Sequence, residues 1–541
     1  MPSRPRSCAE GATVRAGATF QARWDQAAIE LEDHDFLVFE SADGRVMRYS
    51  YGGMDGLVAA VAGGLAALGV GRGSAVHLVL SNSPAFVATW LACARLGAWM
   101  VPADPDASEA EIAHQVARIS PVAGICTSAR ADAYRRSVAL AGAATTVVAV
   151  DEDDTELSPL RGPAASANPV DPSTRLAVMF TSGTTATPKG VELTQGNYAF
   201  AGDVMAMASA LSRHDRQLVV LPLFHANAQY YSFAAAISAG ASVALVQAFS
   251  ASGFMGHARR HNATHTSLFA APIRMILART PPDTAPLKLR HAWFAQNLSA
   301  AHYEQISHLL GCRPRQIYGM TETLPAVLSN PPVGSLERSI GVPTIGCHVR
   351  VMDATGQRAR PGQVGSIQVG GHPGATLFLR YLDDPATTAA AIVERHDDGF
   401  VWFDTGDRAT VDEDGFHYFD GRRSDTLKVG GENVSIGEVE HVIAEHPAVY
   451  EVAVIGVPDP LRDEVPHAFV VLSAHESPDV VDDIRRFTDE RLAGPKRPRV
   501  YTVVDELPRT SVGKIRKFLL TPSGTDPAGE PNHHYTRSTE P

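Results

Sequence analysis

Apolar residues at Leu57, Val58, Val61, Leu65 and Leu68 recur three and four apart, the spacing of one helix face, and predict a helix in the stretch that opens at Tyr51. Through Gly69-Val70-Gly71-Arg72-Gly73 the chain passes into the unbroken apolar run Ala75 to Leu80, which predicts a buried strand. A second helix is predicted from Pro84 to Leu96, and a further strand ends at Pro102. Helix alternating with short apolar strand implies a layered α/β domain. The rhythm returns after Asp171: Leu176 to Phe180 predicts a strand, Thr181 to Gly190 is polar and glycine-rich, and Asn197 to Leu211 predicts a helix. A loop leading from strand to helix is a common seat of chemistry.

Between Arg358 and Gly421 the texture changes to short strands and turns such as Gln363-Val364-Gly365, Asp397-Asp398-Gly399 and Asp412-Glu413-Asp414-Gly415, predicting a β-rich subdomain. Beyond it lies a small unit of its own. Helices are predicted at Ile436 to Ala444 and Val480 to Leu492, with strands at Glu451 to Val457, Ala468 to Leu472 and Val500 to Val504. Ser435 and Glu438, three apart, predict a capping box on the first of these helices. The closing stretch 521–541 has almost no apolar residues and is expected to be disordered, and residues 1–20 are expected to form a flexible N-terminus.

A chain of 541 residues exceeds one ordinary core, so a large divided domain and a smaller one are expected. The formal charge of −12 disfavours extended contact with nucleic acid or anionic membrane and directs attention to small-molecule partners. Cys8, Cys93, Cys126, Cys312 and Cys347 are scattered and odd in number, which argues against a disulfide frame or zinc site and for a reducing, cytoplasmic setting. No apolar run approaches the roughly 20 residues of a spanning helix, and none follows the N-terminal arginines as a signal peptide requires.

The stretch Thr181-Ser-Gly-Thr-Thr-Ala-Thr-Pro-Lys-Gly190 gathers glycines, short hydroxyls and one ammonium, groups that wrap a polyphosphate. Its glycine spacing and the Gly190 after Lys189 rule out a Walker loop. Tyr318-Gly-Met-Thr-Glu-Thr323 follows the strand-like Arg315-Gln-Ile, and its Glu322 is a hard oxygen ligand suited to Mg2+. Phe403-Asp-Thr-Gly-Asp407 with Gly421-Arg422, Lys428-Val-Gly-Gly-Glu-Asn-Val434 and Arg509-Thr-Ser-Val-Gly-Lys-Ile-Arg516 complete the set.

In this order the segments resemble the adenylate-forming (AMP-binding) superfamily over residues 20 to 520. Together with Asp459-Pro-Leu-Arg-Asp-Glu464 they are most similar to its acyl-CoA synthetase branch, in particular carnitine/crotonobetaine-type and fatty-acyl-CoA ligases. The resemblance implies an α/β fold: an adenylation domain over 21–421 made of layered α/β subdomains and a β-rich subdomain, a hinge at 422–425, and a mobile C-terminal α+β domain over 426–520. It implies ATP, Mg2+ and coenzyme A as cosubstrates and a small carboxylic acid as substrate.

The same resemblance assigns roles. Thr181, Ser182, Gly183, Thr184, Thr185 and Lys189 hold phosphate, with Thr181 also at the metal and in catalysis. Tyr318, Gly319 and Thr321 meet adenine and phosphate, Glu322 holds Mg2+, and Gln296 and Asn297 touch the nucleotide. Asp407 and Arg422 take the ribose. Lys514 bridges the attacking carboxylate and the α-phosphate, neutralising charge in the transition state. His225 gates the acyl pocket, to which Asn227 and Gln229 add polarity and Tyr198, Ala270, Ala271 and Gly319 add walls. Lys428, Gly430 and Gly431 line the pantetheine tunnel after a domain rotation. Two departures stand out: Ser424 replaces the charged hinge residue, and Phe294-Ala-Gln-Asn-Leu298 replaces a glycine-rich adenine segment. They leave open an inactive nucleotide-binding homologue, while the likeness of the 428–434 loop to those of carrier-protein-loading members leaves open transfer of the acyl group to a carrier protein or nitrogen nucleophile. The acid and the oligomeric state are left open too.

Overall fold

Ser83 caps the helix Pro84–Leu96 by accepting from Phe86 N, proline occupies its first turn, and Gly97 closes it at φ 67°, the residue chemistry each end of a helix requires. All of this helix except Arg95 is buried. In the computed structural model, which describes residues 17–151, 154, 156–181, 188–473, 479–509, 515–521 and 533–536, it packs beside Tyr51–Ala67, Phe20–Glu30 and Gln195–Ser209. Ser182, Gly183, Thr184, Thr185 and Lys514 lie outside the described residues. One hydrophobic core joins these helices to three sheets and includes Trp24, Phe36, Tyr51, Trp90 and Phe233.

The first sheet has the order Arg380–Tyr381, Lys189–Thr194, Arg175–Thr181, Trp99–Pro102, Ala75–Val79, Ala123–Thr127, Thr146–Val150. The second carries Arg315–Tyr318, His291–Ala295, His265–Phe269, Arg216–Val219, Ser242–Val246 and Asp35–Glu40 as successive parallel neighbours. Such parallel strands, covered on both faces, read as apolar runs in the sequence.

The sequence reading of a strand-to-helix loop at 181–190 is corrected here. Arg175–Thr181 turns back as the antiparallel strand Lys189–Thr194, with Thr181 opposite Lys189, and only then does the helix Gln195–Ser209 begin behind its cap Thr194. The alternation in Lys189-Gly-Val-Glu-Leu-Thr194 is a strand signal that the adjoining polar stretch masked. The polyphosphate-type segment therefore joins two hydrogen-bonded strands whose register fixes both its ends.

The β-rich subdomain is a five-stranded sheet of His348–Met352, Gly365–Gly371, Ile392–Arg395, Val401–Val411 and His417–Arg422. Its last hairpin sets Asp407 directly opposite Arg422. Arg423–Asp425 forms a single helical turn before the last sheet, built from Thr426–Val429, Glu432–Ser435, Val449–Asp459, Asp463–Leu472, Val500–Val503 and His533–Thr536. This unit has its own core around Val439, Ile443, Val454, Val470 and Ile484. Ser435 caps Ile436–Ala444 as expected, but Glu438 does not complete a capping box; its carboxylate pairs with Lys496 at 2.6 Å. Within the stretch expected to be disordered, His533–Thr536 pairs antiparallel with Val500–Val503. His-His-Tyr-Thr has the aromatic and β-branched content that an otherwise unpaired strand edge accepts.

Candidate active site

A cleft of about 1680 Å³ is lined by the two ends of the Thr181/Lys189 hairpin, the loop after Arg315–Tyr318, the strand Val401–Val411, Arg422, and Arg509 and Arg516 of the small unit. It gathers Thr181, Lys189, His225, Gln296, Asn297, Tyr318, Gly319, Thr321, Glu322, Asp407 and Arg422. Lys428, Gly430 and Gly431 are not among its lining residues. They form a hairpin turn in which Gly430 N donates to Arg462 O at 2.8 Å and the glycines take φ 57° and 87°. Arg509, which pairs with Ile515 as a bridge, and Arg516 line the cleft instead.

Cross-strand register brings Asp407 to Arg422, whose Nε lies 3.0 Å from Oδ1. Tyr318 donates to Oδ2 at 2.8 Å. Oδ1 is buried and receives no aligned hydrogen bond among the described residues, so it retains acceptor capacity for an incoming hydroxyl. Burial raises the Asp407 carboxyl above its ordinary range, opposed by Arg422 and the Tyr318 hydroxyl. A carboxylate beside a guanidinium in the cleft lining offers a vicinal diol an acceptor and a neighbouring donor.

Glu322 is 4% exposed, and Tyr381 donates to its Oε1 at 3.0 Å. Burial pushes the carboxyl up, against the pull of the Tyr381 hydroxyl and the positive charges of Arg422 and Lys189. A buried carboxylate so poised gains most from a cation, and its oxygen chemistry suits Mg2+. The Lys189 ammonium lies 5.1 Å from the Tyr381 ring centroid, within cation–π range. Sequence reasoning missed Tyr381. It sits in the two-residue strand Arg380–Tyr381 opposite Val191, and only that pairing reveals that it lies between Lys189 and Glu322.

Arg118 was also unforeseen: it donates to Pro188 O at 2.8 Å and Leu382 O at 3.2 Å while covering Phe180. It thus tethers the chain on which the hairpin loop closes. Gly319 is required by close approach, since a Cβ there would meet Pro325 O and Tyr231 Oη at 2.9 Å.

On the opposite wall, Asn227–Ala234 is π-helical, a form that recurs at functional sites. His225, Asn227 and Tyr231 face the cleft. Tyr198 and Gln229, expected to line it, lie behind this wall, fully buried: Tyr198 donates to Gln229 Oε1 at 2.5 Å, and Gln229 donates to Leu223 O at 2.6 Å. Ala270 and Ala271 are likewise buried in the helix Ala270–Arg279 and not among the cleft residues. In the altered segment, Gln296 takes the left-handed φ of 74°, and Gln316 donates to Gln296 O and Asn297 Oδ1, both at 3.2 Å.

This fold and cleft define the class. The chain belongs to the AMP-binding enzyme family, whose profile matches residues 24–382, while the profile of the AMP-binding enzyme C-terminal domain matches 438–514. It is similar to the crotonobetaine/carnitine–CoA ligases of Salmonella arizonae and Escherichia coli O139:H28, at 34% identity over 522 residues, covering 94% of this chain and 99% of each relative. Among solved structures it resembles ATP-bound MatB from Rhodopseudomonas palustris, with TM-score 0.81, 26% identity and coverage of 93% and 98%. It also resembles the AMP complex of o-succinylbenzoate coenzyme A synthetase from Bacillus subtilis, with TM-score 0.79, 27% identity and coverage of 94% and 99%. Among the described residues no helix is long and apolar enough to cross a membrane.

Proposed function

We propose the following division of labour for an ATP-dependent carboxylic acid:CoA ligase. The substrate carboxylate oxygen attacks the α-phosphorus of ATP, an acyl-phosphate bond forms, and pyrophosphate leaves. The thiol of coenzyme A then attacks the acyl carbon, loses its proton, and displaces AMP to give the thioester. The observation that carries the reading is the convergence on one cleft of the Asp407–Arg422–Tyr318 cluster and the Glu322–Tyr381–Lys189 cluster.

Asp407 and Arg422 take the ribose, and Tyr318 braces Asp407. Thr181, Ser182, Gly183, Thr184, Thr185 and Lys189 receive the β- and γ-phosphates, and Thr321 and Gly319 the α-phosphate side. Gln296 and Asn297 meet the base. Glu322 and Thr181 hold Mg2+, which neutralises phosphate charge when bound. Lys514 compensates the α-phosphate charge during attack. Its placement is supported by Arg509 and Arg516, which flank it in sequence and line the cleft. His225 borders the acyl entrance, and Lys428, Gly430 and Gly431 serve the second half-reaction after the small unit, 426–520, rotates about 422–425. We also propose a cytoplasmic site, supported by four described cysteines without disulfides.

The test is pyrophosphate release over a panel of acids that includes carnitine and crotonobetaine, with and without coenzyme A, while chromatography follows AMP and thioester. The expected result is AMP and thioester from one acid class. AMP formation indifferent to coenzyme A would reassign the acceptor to a carrier protein or nitrogen nucleophile.

A further inference from the structure

The acyl side of the cleft contains a polar group that the proposed reaction does not use. Asn227 is 4% exposed and lines the cleft, yet its buried Nδ2 has no hydrogen-bond partner among the described residues. A buried amide donor left empty is costly, and native interiors satisfy such groups. The π-helical turn explains how it comes to face the cleft. Asn227 and Tyr231 lie four apart, close to one turn of a helix bonded from i to i+5, and both are cleft residues. Gln229, between them, points the other way and is satisfied by Tyr198 and Leu223.

The cleft also ends soon after this point. Phe269 and Ala295, opposite one another on adjacent strands, are lining residues. Strand alternation places Ser267 and Trp293 next along the same sheet face. Both are buried and outside the cleft, and Arg315 caps Trp293 with its guanidinium 4.6 Å from the ring while donating to Asn330 O and Ala208 O. Along this sheet face a long hydrocarbon chain meets packed side chains. The cleft's described cations are engaged: Lys189 stands over Tyr381, Arg422, Arg423 and Arg509 are paired with Asp407, Asp404 and Glu451, and Arg516, on the small unit, acts on Glu111.

Resting on the ligase reading above, we propose that Asn227 is a specificity-determining residue and that the acid activated is short and carries a neutral oxygen on its acyl chain, a hydroxyl or carbonyl, which accepts a hydrogen bond from the Asn227 amide. Absence of that oxygen leaves the donor buried and unpaired, which lowers kcat/KM by about tenfold or more.

The experiment compares kcat/KM for thioester formation by the full chain with butanoate, 3-hydroxybutanoate, 4-hydroxybutanoate, succinate and hexadecanoate. The expected result is that one hydroxy acid exceeds butanoate by about tenfold or more, with succinate and hexadecanoate below both. In Asn227→Leu that preference falls to within about twofold; Asn227→Asp, which keeps the size of the side chain and as a carboxylate exchanges the donor for a charged acceptor, gives the same collapse. The proposal is overturned if butanoate, succinate or hexadecanoate matches the hydroxy acids, or if the preference survives in both variants. Failure of the ligase reading has a different signature, no pyrophosphate from any acid, and that outcome overturns both.

Discussion

Buried ionisable side chains carry most of the chemistry proposed at the residue scale. Glu322 and Asp407 are both raised by burial and each is held by a tyrosine hydroxyl, Tyr381 and Tyr318. Glu322→Gln removes the charge but keeps the shape, so kcat is expected to fall by about 10²-fold, with a raised Mg2+ requirement. Tyr381→Phe should shift the same Mg2+ titration by less and leave KM for ATP nearly unchanged. A Mg2+ titration of pyrophosphate release checks both, and an unmoved titration in Glu322→Gln would remove the assigned ligand.

His77 is a second residue with a measurable consequence. Tyr134 and Gln115 hold the two nitrogens of its buried ring at 2.7 and 2.9 Å, and burial pushes its pKa from 6.5 down to about 4. The folded state therefore binds fewer protons than the unfolded state between these values, and stability rises with pH across that window. It is fully present above about pH 6.5 and is lost as pH falls towards 4. His261, lowered to about 4 beside Glu40, adds in the same direction. Urea midpoints should drop steadily from pH 6.5 to 4.5. In His77→Gln the loss over that range should be smaller, by up to about 3 kcal/mol; an unchanged slope would show that this histidine is not proton-linked to folding.

Paired strands dominate at the element scale. One hairpin delivers Thr181 and Lys189 to the cleft, and another delivers Asp407 and Arg422. A strand register is an all-or-none specification, because a slip of one residue turns each side chain to the other face. Arg118 and the short strand Arg380–Tyr381 secure the outer edge of the first hairpin. Arg509, which also lines the cleft, is held by the same device, a bridge to Ile515. Lys514→Ala should accordingly suppress acyl-adenylate formation by about 10²-fold or more while sparing thioester formation from preformed acyl-adenylate. Measuring the two half-reactions separately checks this, and equal losses would end the division of labour.

Across the whole molecule, the large and small units meet at Glu451. This largely buried carboxylate receives Arg274 from the helix Ala270–Arg279 at 2.9 Å and also pairs with Arg509, five residues before Lys514 in the sequence. Arg338 and Glu445 add a second, exposed ion pair at 3.4 Å. Contacts of this size permit one arrangement to be favoured without locking it. Glu451→Gln weakens two charge-assisted bonds, worth about 1 kcal/mol or more together. Adenylation should slow several-fold while thioester formation from preformed adenylate is unchanged or faster. Slowing of both half-reactions alike would assign Glu451 to folding and not to the arrangement of the units.

Local chemistry made much of this legible in the chain itself. Helix Pro84–Leu96 is marked by Ser83, Pro84 and Gly97, and the glycine and hydroxyl segments announce phosphate chemistry without any knowledge of their neighbours. The family, the α/β class and most candidate cleft residues follow from such short-range signals, because capping, turn and phosphate contacts involve residues close in sequence. Long-range pairing was not legible. The strand Lys189–Thr194, the placement of Tyr381 against Glu322, the burial of Tyr198 and Gln229 behind the π-helical wall, and the strand at His533–Thr536 each depend on partners 8 to 188 residues or more away in the chain or on a neighbouring strand edge. Sequence determined which groups are available. Register and packing decided which of them face the cleft, because the direction of a side chain is set by its strand's or helix's neighbours and not by its own identity.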